Sequence, residues 1–234
     1  MKINRAAIKQ NAKNIVTSAK PSPILVGLVY LAISFVLQLL FDSILRIDDS
    51  YMNDIMERMM ENPDYIPALP NIGTPGILLV IAISVMSVMM IAGFSIYCMN
   101  ICQFRKAGFG NLFDGFAIFF KVLGLYILMI IFIWLWSILL IIPGIIAAYR
   151  YRMALYIMID NPQLSALECI KASKQMMNGR KGELFVLDLS FLGWYLLALF
   201  PLVTIWVTPY TSVTEVNFYL ALRDMPKSNY NRVI

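Results

Sequence analysis

Apolar runs long enough to cross a bilayer fill most of this chain, and they decide what it can fold into. A hydrocarbon core about 30 Å thick takes about 20 apolar residues per helix. Ile24–Leu45, Gly76–Cys102, Val122–Ile142 and Leu202–Leu222 meet that length, and Ile145–Ile159 and Leu184–Phe200 are shorter candidates. Only 14% of the 234 residues are charged, and mean hydropathy is +0.72; a water-soluble domain carries about 25% charge. In lipid every backbone polar group must be paired within the structure, which leaves helices or a closed barrel. Unbroken apolar runs lack the alternation of barrel strands. The expected fold is all-α and polytopic: one six-helix transmembrane domain over 24–222, preceded by a basic segment, 1–23, and followed by a tail, 223–234.

Charge placement sets the expected orientation. Met1–Pro23 carries Lys2, Arg5, Lys9, Lys13 and Lys20 and no acid, whereas Arg46–Pro75 carries six acids and two bases. With six crossings, fifteen Lys and Arg fall on one side and two on the other. The positive-inside rule then predicts that both termini are cytoplasmic. The first apolar run is too long for a signal-peptide core, so no cleavable signal is expected. No basic stripe interleaves with aromatics on a soluble domain, which argues against nucleic-acid binding.

Several local patterns add detail. In a helix over Met1–Lys20 the five basic residues share an arc of roughly 80°, opposite Ile3, Ala7, Ile8 and Ile15. Two readings stand: a surface helix bound to anionic headgroups, or a positive cluster that only orients the chain. Asp49–Glu61 predicts a short helix with Met52, Ile55, Met56 and Met59 on one side. Its acids lack calcium-loop spacing. Phe104, Phe109, Phe113 and Phe116 suggest a segment in the membrane interface, and its G-F-G lacks the lysine of a phosphate loop. Pro143-Gly144 predicts a tight reversal, and Gly144 with Ala148 predicts close helix packing. Ser165-Ala166-Leu167-Glu168 is a capping box that starts a cytoplasmic connecting helix. Gly179 suits its end. That helix either docks a partner or floats at the inner leaflet. Cys98 and Cys102 read as small packing residues; no metal site and no cofactor are expected.

A family resemblance rests on the last third of the chain. The run I-P-G-I-I-A-A-Y-R-Y-R-M-A-L-Y-I-M-I-D-N-P from Ile142 is followed by L-S-A-L-E-C-I-K-A-S-K, then G-R-K-G-E-L-F-V-L-D-L-S-F-L-G-W-Y-L-L, then P-Y-T-S-V-T-E-V-N-F-Y-L-A-L. Together they resemble the bacterial multipass membrane family called domain of unknown function 975. Asn111–Phe116 and the basic N-terminal helix extend the resemblance; the acidic loop is less typical. The resemblance implies six transmembrane helices in a bacterial plasma membrane. It supplies no activity and no catalytic residues.

Ionisable residues inside expected spans mark the candidate site. Arg150, Arg152, Asp188 and Glu215 would each cost about 2.5–3.5 kcal/mol at a helix centre if unpaired. At 1.5 Å per residue Arg152, Asp188 and Glu215 fall about 8–12 Å from the nearest helix ends, in one layer, with Lys121 near enough to join. This layer is either a binding site or an ion-pair clamp between helices. Trp134, Trp136, Trp194 and Trp206 form a second layer, read as an interfacial belt or as an aromatic pocket.

The chain has no histidine, which excludes His-based acid–base and H-E-x-x-H zinc chemistry. It also lacks G-x-S-x-G, S-x-x-K and a G-K-[ST] phosphate loop. A non-enzymatic protein that binds or moves a lipid or peptide amphiphile is the leading expectation. An accessory or immunity subunit on another membrane export complex is the alternative, and an intramembrane enzyme using Asp188 and Glu215 is the least favoured. Topology is testable by cysteine labelling on a cysteine-free background. A cysteine at position 174 should be shielded from impermeant reagent in intact cells; labelling from outside would refute six crossings.

Overall fold

The computed structural model describes residues 3–45, 49–67 and 72–225. Lys2, Arg46, Asp48, Pro70 and the tail beyond Met225 lie outside them. The described residues are helical, with no strand. In chain order the helices are α1 (Arg5–Ser18), α2 (Pro23–Leu45), α3 (Asp49–Glu61), α4 (Gly73–Cys102), a 3₁₀ segment (Phe109–Ile118), α5 (Phe119–Leu139), α6 (Ile141–Tyr151), α7 (Ala154–Asp160), α8 (Ala166–Met176), α9 (Lys181–Leu189), α10 (Leu192–Leu197) and α11 (Pro201–Arg223). Among the described residues three stretches are long and apolar enough to span a membrane: Pro23–Leu45, Gly73–Cys102 and Phe109–Ile138.

The later expected spans take other forms. The run from Val122 ends at Leu139, and residues 145–159 fall into α6 and α7 with a break at Arg152-Met153. Residues 184–200 fall into α9 and α10 with a break at Ser190-Phe191. Only α11 runs unbroken, with Pro209 inside it.

The chain divides into two compact units: Met1–Tyr30 with Met89–Ile234, and Leu31–Val88. In the smaller unit α3 forms where expected and leaves Met52, Met56, Met59 and Met60 exposed. Arg58 meets Asp54 one turn back at 2.8 Å. The apolar helix surfaces of this unit are also open, including Phe35, Leu39, Ile77 and Leu78. Contiguous apolar exposure of this kind marks a lipid or protein contact surface.

In the larger unit the chain reverses between α5 and α6 at Leu140, whose backbone is extended (φ −165°, ψ 148°). The reversal lies before Pro143-Gly144. Pro143 occupies the first turn of α6, where its missing N–H removes no helical bond. Gly144 instead serves the hairpin's packing: a Cβ there would lie 2.1 Å from Ser137 Oγ.

The N-terminal helix is docked on the protein. Ile8, Ala12, Ile15 and Val16 are buried, and α1 lies along α11. Asn11 Nδ2 donates to Asn217 Oδ1 at 2.9 Å. The buried face differs from the one expected: Ala12 and Val16 complete a stripe at i, i+4, i+7 and i+8, while Ala7 is exposed. Lys9 turns inward, donating to Ser190 Oγ at 3.0 Å with Nζ 4.2 Å from the Phe191 ring centroid, and burial lowers its pKa. Arg5, Lys13 and Lys20 stay exposed.

The connecting helix α8 is packed too. Ser165 and Glu168 form the expected capping box, and those hydrogen bonds from Ser165 lower the Glu168 pKa. Gly179 takes φ +73° after the helix. Ile170, Ser173 and Met177 are buried against α5, α6 and α7, so α8 does not float. Ser173 Oγ donates to the Arg150 carbonyl at 2.8 Å. Burial pushes the Cys169 thiol up to about 11, which keeps it unreactive.

The 3₁₀ segment is where backbones come closest. After α4 the chain turns at Phe104 (φ 56°) and runs back along α4, with Leu112 beside Gly93 and Gly115 beside Met89. Leu112 is buried, while Phe104, Phe109, Phe113 and Phe116 are exposed. A Cβ on Gly93 would lie 1.9 Å from the Leu112 carbonyl oxygen, and one on Gly115 would lie 2.4 Å from that of Met89. Gly93→Ala should therefore destabilise the protein by roughly 1–3 kcal/mol, the usual size of an overpacking penalty. Gly182→Ala in α9, where nothing lies within 4 Å, should be neutral or gain up to about 1 kcal/mol. Thermal unfolding in detergent checks both; equal melting temperatures for the two variants would refute the close approach.

Candidate functional site: a charged layer and its cavity

Arg152 lies at the junction of α6 and α7 and meets acids of α9 and α11. Its Nε donates to Glu215 Oε1 at 2.6 Å and its Nη2 to Glu215 Oε2 at 3.2 Å. Asp188 Oδ2 lies 3.7 Å from Arg152 Nη1 and accepts from the Tyr149 hydroxyl at 3.0 Å. The three residues named from matched depth thus meet, one from each of three chain segments. The guanidinium fork suits the two-point contact with Glu215. The side chains are 41% (Arg152), 24% (Asp188) and 18% (Glu215) exposed, because the layer borders a cavity of about 230 Å³. Tyr195, Thr211 and Thr214 line the same cavity.

The other two residues of the expected layer do not join. Lys121 donates to the Pro162 carbonyl. Arg150 makes no ion pair among the described residues and holds α8 through its backbone carbonyl. The tryptophans do not gather: Trp134, Trp136, Trp194 and Trp206 are all exposed, and none lines the cavity. They do not form a shared pocket, the second of the two readings.

A second polar centre was missed by sequence reasoning. Asp160, at the end of α7, accepts from Gln103 Nε2 at 3.2 Å, Tyr219 hydroxyl at 3.0 Å and Arg223 Nη1 at 2.9 Å. Burial pushes its pKa up, but the hydrogen bonds from Arg223, Gln103 and Tyr219 outweigh it, and the net shift is down. It ties the ends of α4, α7 and α11 together. Eight residues separate Glu215 from Arg223 on α11, so the two centres are about 12 Å apart along the axis. Asp160 read as a loop boundary because nothing local distinguishes a networked aspartate from a solvated one.

The match to known families falls on this part of the chain. Residues 137–225 match the family described as Protein of unknown function (DUF975). The resemblance read from the sequence holds over that segment. It takes in α6 to α11, and with them Arg152, Asp188, Glu215 and Asp160; Lys121, Trp134 and Trp136 lie before it. The DUF975 segment therefore contains the whole ion-paired layer. No curated protein and no solved structure matches the chain.

A double-mutant cycle measures what the layer does for the fold. Arg152→Met strands Glu215 and should cost roughly 3 kcal/mol or more. Arg152→Met with Glu215→Leu replaces the pair by apolar groups and should cost less than the single change. Denaturant unfolding in mixed micelles reads both; a double variant less stable than Arg152→Met would refute a paired layer.

Proposed function

We propose that this protein binds, without catalysis, a lipid or peptide amphiphile whose polar end enters the cavity beside Arg152, Asp188 and Glu215. The single observation that carries the reading is a polar, charge-lined cavity in a helical unit whose outer surfaces are apolar. Such a cavity offers hydrogen bonds that hydrocarbon does not. At about 230 Å³ it is smaller than the roughly 300–1,000 Å³ that encloses a drug-sized ligand, so it suits a headgroup with the tail left outside. Both carboxylates lie beside Arg152, which argues against either as a free general base.

Within the same reading the chain crosses the bacterial plasma membrane six times with both termini in the cytoplasm. Charge asymmetry supports that count; helix length and apolarity together support three crossings among the described residues. Arg5, Lys13 and Lys20 would then face anionic inner-leaflet lipid. The exposed methionine face of α3 favours a second reading, an accessory subunit that contacts another membrane protein.

Native mass spectrometry of protein purified in neutral detergent tests the proposal. A lipid or peptide should co-purify at about one equivalent, and Thr211→Trp, which fills the cavity, should lose it without a fall in melting temperature. A stoichiometric protein partner with no amphiphile would overturn the binding reading in favour of the second.

A further inference from the structure

We infer that the group the cavity accepts is a primary ammonium, with Asp188 as its anionic partner. The inference rests on the amphiphile reading above and specifies the headgroup. Ionised Arg152, Asp188 and Glu215 together leave one net negative charge. Arg152 is committed to Glu215 through two hydrogen bonds and comes no nearer than 3.7 Å to Asp188. On Asp188, Oδ2 takes the Tyr149 hydroxyl and the Arg152 contact, while Oδ1 accepts no hydrogen bond among the described residues. One carboxylate oxygen beside the cavity is thus unmatched.

The hydroxyls point to the same polarity. Thr211 Oγ1 donates to the Val207 and Thr208 carbonyls at 2.9 and 3.1 Å, and Thr214 Oγ1 donates to Tyr210 at 2.7 Å. A hydroxyl has one proton to give, and with it turned to these backbone carbonyls both oxygens offer a ligand acceptor lone pairs. Asp188 Oδ1, Thr211 Oγ1 and Thr214 Oγ1 make three acceptors, and an ammonium has three N–H donors. Tyr195 also lines the cavity, and an aromatic side chain there is compatible with a cation. An anionic head could reach the three N–H donors that Arg152 does not give to Glu215, but it would also meet two carboxylates in a layer whose net charge is already negative. Leu189, Leu192 and Leu196 are exposed on α9 and α10, which gives an apolar tail a surface next to the head.

A free amine of this kind is carried by an ethanolamine lipid or by the N-terminus of an apolar peptide. Four probes separate charge from source: dihexanoylphosphatidylethanolamine and its N-acetyl derivative, and an apolar hexapeptide with free or acetylated N-terminus. Binding to lipid-depleted protein is read by calorimetry. The free-amine member of at least one pair should bind at least tenfold tighter than its acetylated form, and that pair names the source. Asp188→Asn should cut the preference to within twofold, and Asp188→Glu should restore it. Equal binding of free and acetylated forms in both pairs would overturn the ammonium assignment while leaving the cavity reading intact. No binding of any probe would overturn both. If Asp188→Asn fails to fold, the wild-type comparison alone decides.

Discussion

A guanidinium cannot be deprotonated within a protein, and Arg152 lies in the most apolar third of an apolar chain. That fact constrains everything around it. The charge must be met at its own depth, by acids on other segments, because α6 itself offers none. Glu215 meets it from α11 and Asp188 from α9. Satisfying one arginine therefore sets the relative height of three helices. Apolar packing alone sets this height poorly, since a helix can slide along an apolar face without losing contact. The fork geometry adds direction: two parallel contacts with Glu215 fix the rotation of α11 as well as its height.

Two further devices lock the unit on either side of that layer. Asp160 ties the ends of α4, α7 and α11 about 12 Å away along α11. The 3₁₀ segment lies backbone against backbone on α4, which glycine at 93 and 115 alone allows. A 3₁₀ run of ten residues is unusually long. It persists here because Leu112 is held against α4 while its phenylalanines remain on the outside.

What was legible in the sequence follows from what each signal measures. Helix existence was legible because apolar length and caps are local properties; α2, α3, α8 and α11 form close to their expected limits. The contact of Arg152 with Glu215 and Asp188 was legible because charge in lipid must be paired, and depth can be counted in residues. The α5–α6 reversal was misplaced by three residues because Pro143-Gly144 carries a turn signal but sits inside the first turn of a helix. Docking of α1 was hidden by its asparagines: Asn11 interrupts the apolar stripe in sequence, yet bonds Asn217 in the structure. Lys121 looked like a member of the layer because depth says nothing about which way a side chain faces.

The least legible features, the breaks at Arg152-Met153 and Ser190-Phe191, are informative when placed together. Neither is announced by proline, and each interrupts an apolar run that reads as one helix. Irregular backbone among apolar spans is tolerated only where protein buries it or a water-filled cavity borders it. Both conditions are met: Met153 and Phe191 are buried, and Arg152 and Phe191 line the cavity. The breaks and the cavity are thus one feature. Arg152 reaches Glu215 from the α6–α7 junction, and the α9–α10 junction at Ser190 has the cavity residues Asp188 and Tyr195 on its two sides. The cost of two interrupted helices in an apolar setting is best understood as the cost of keeping that space open and polar.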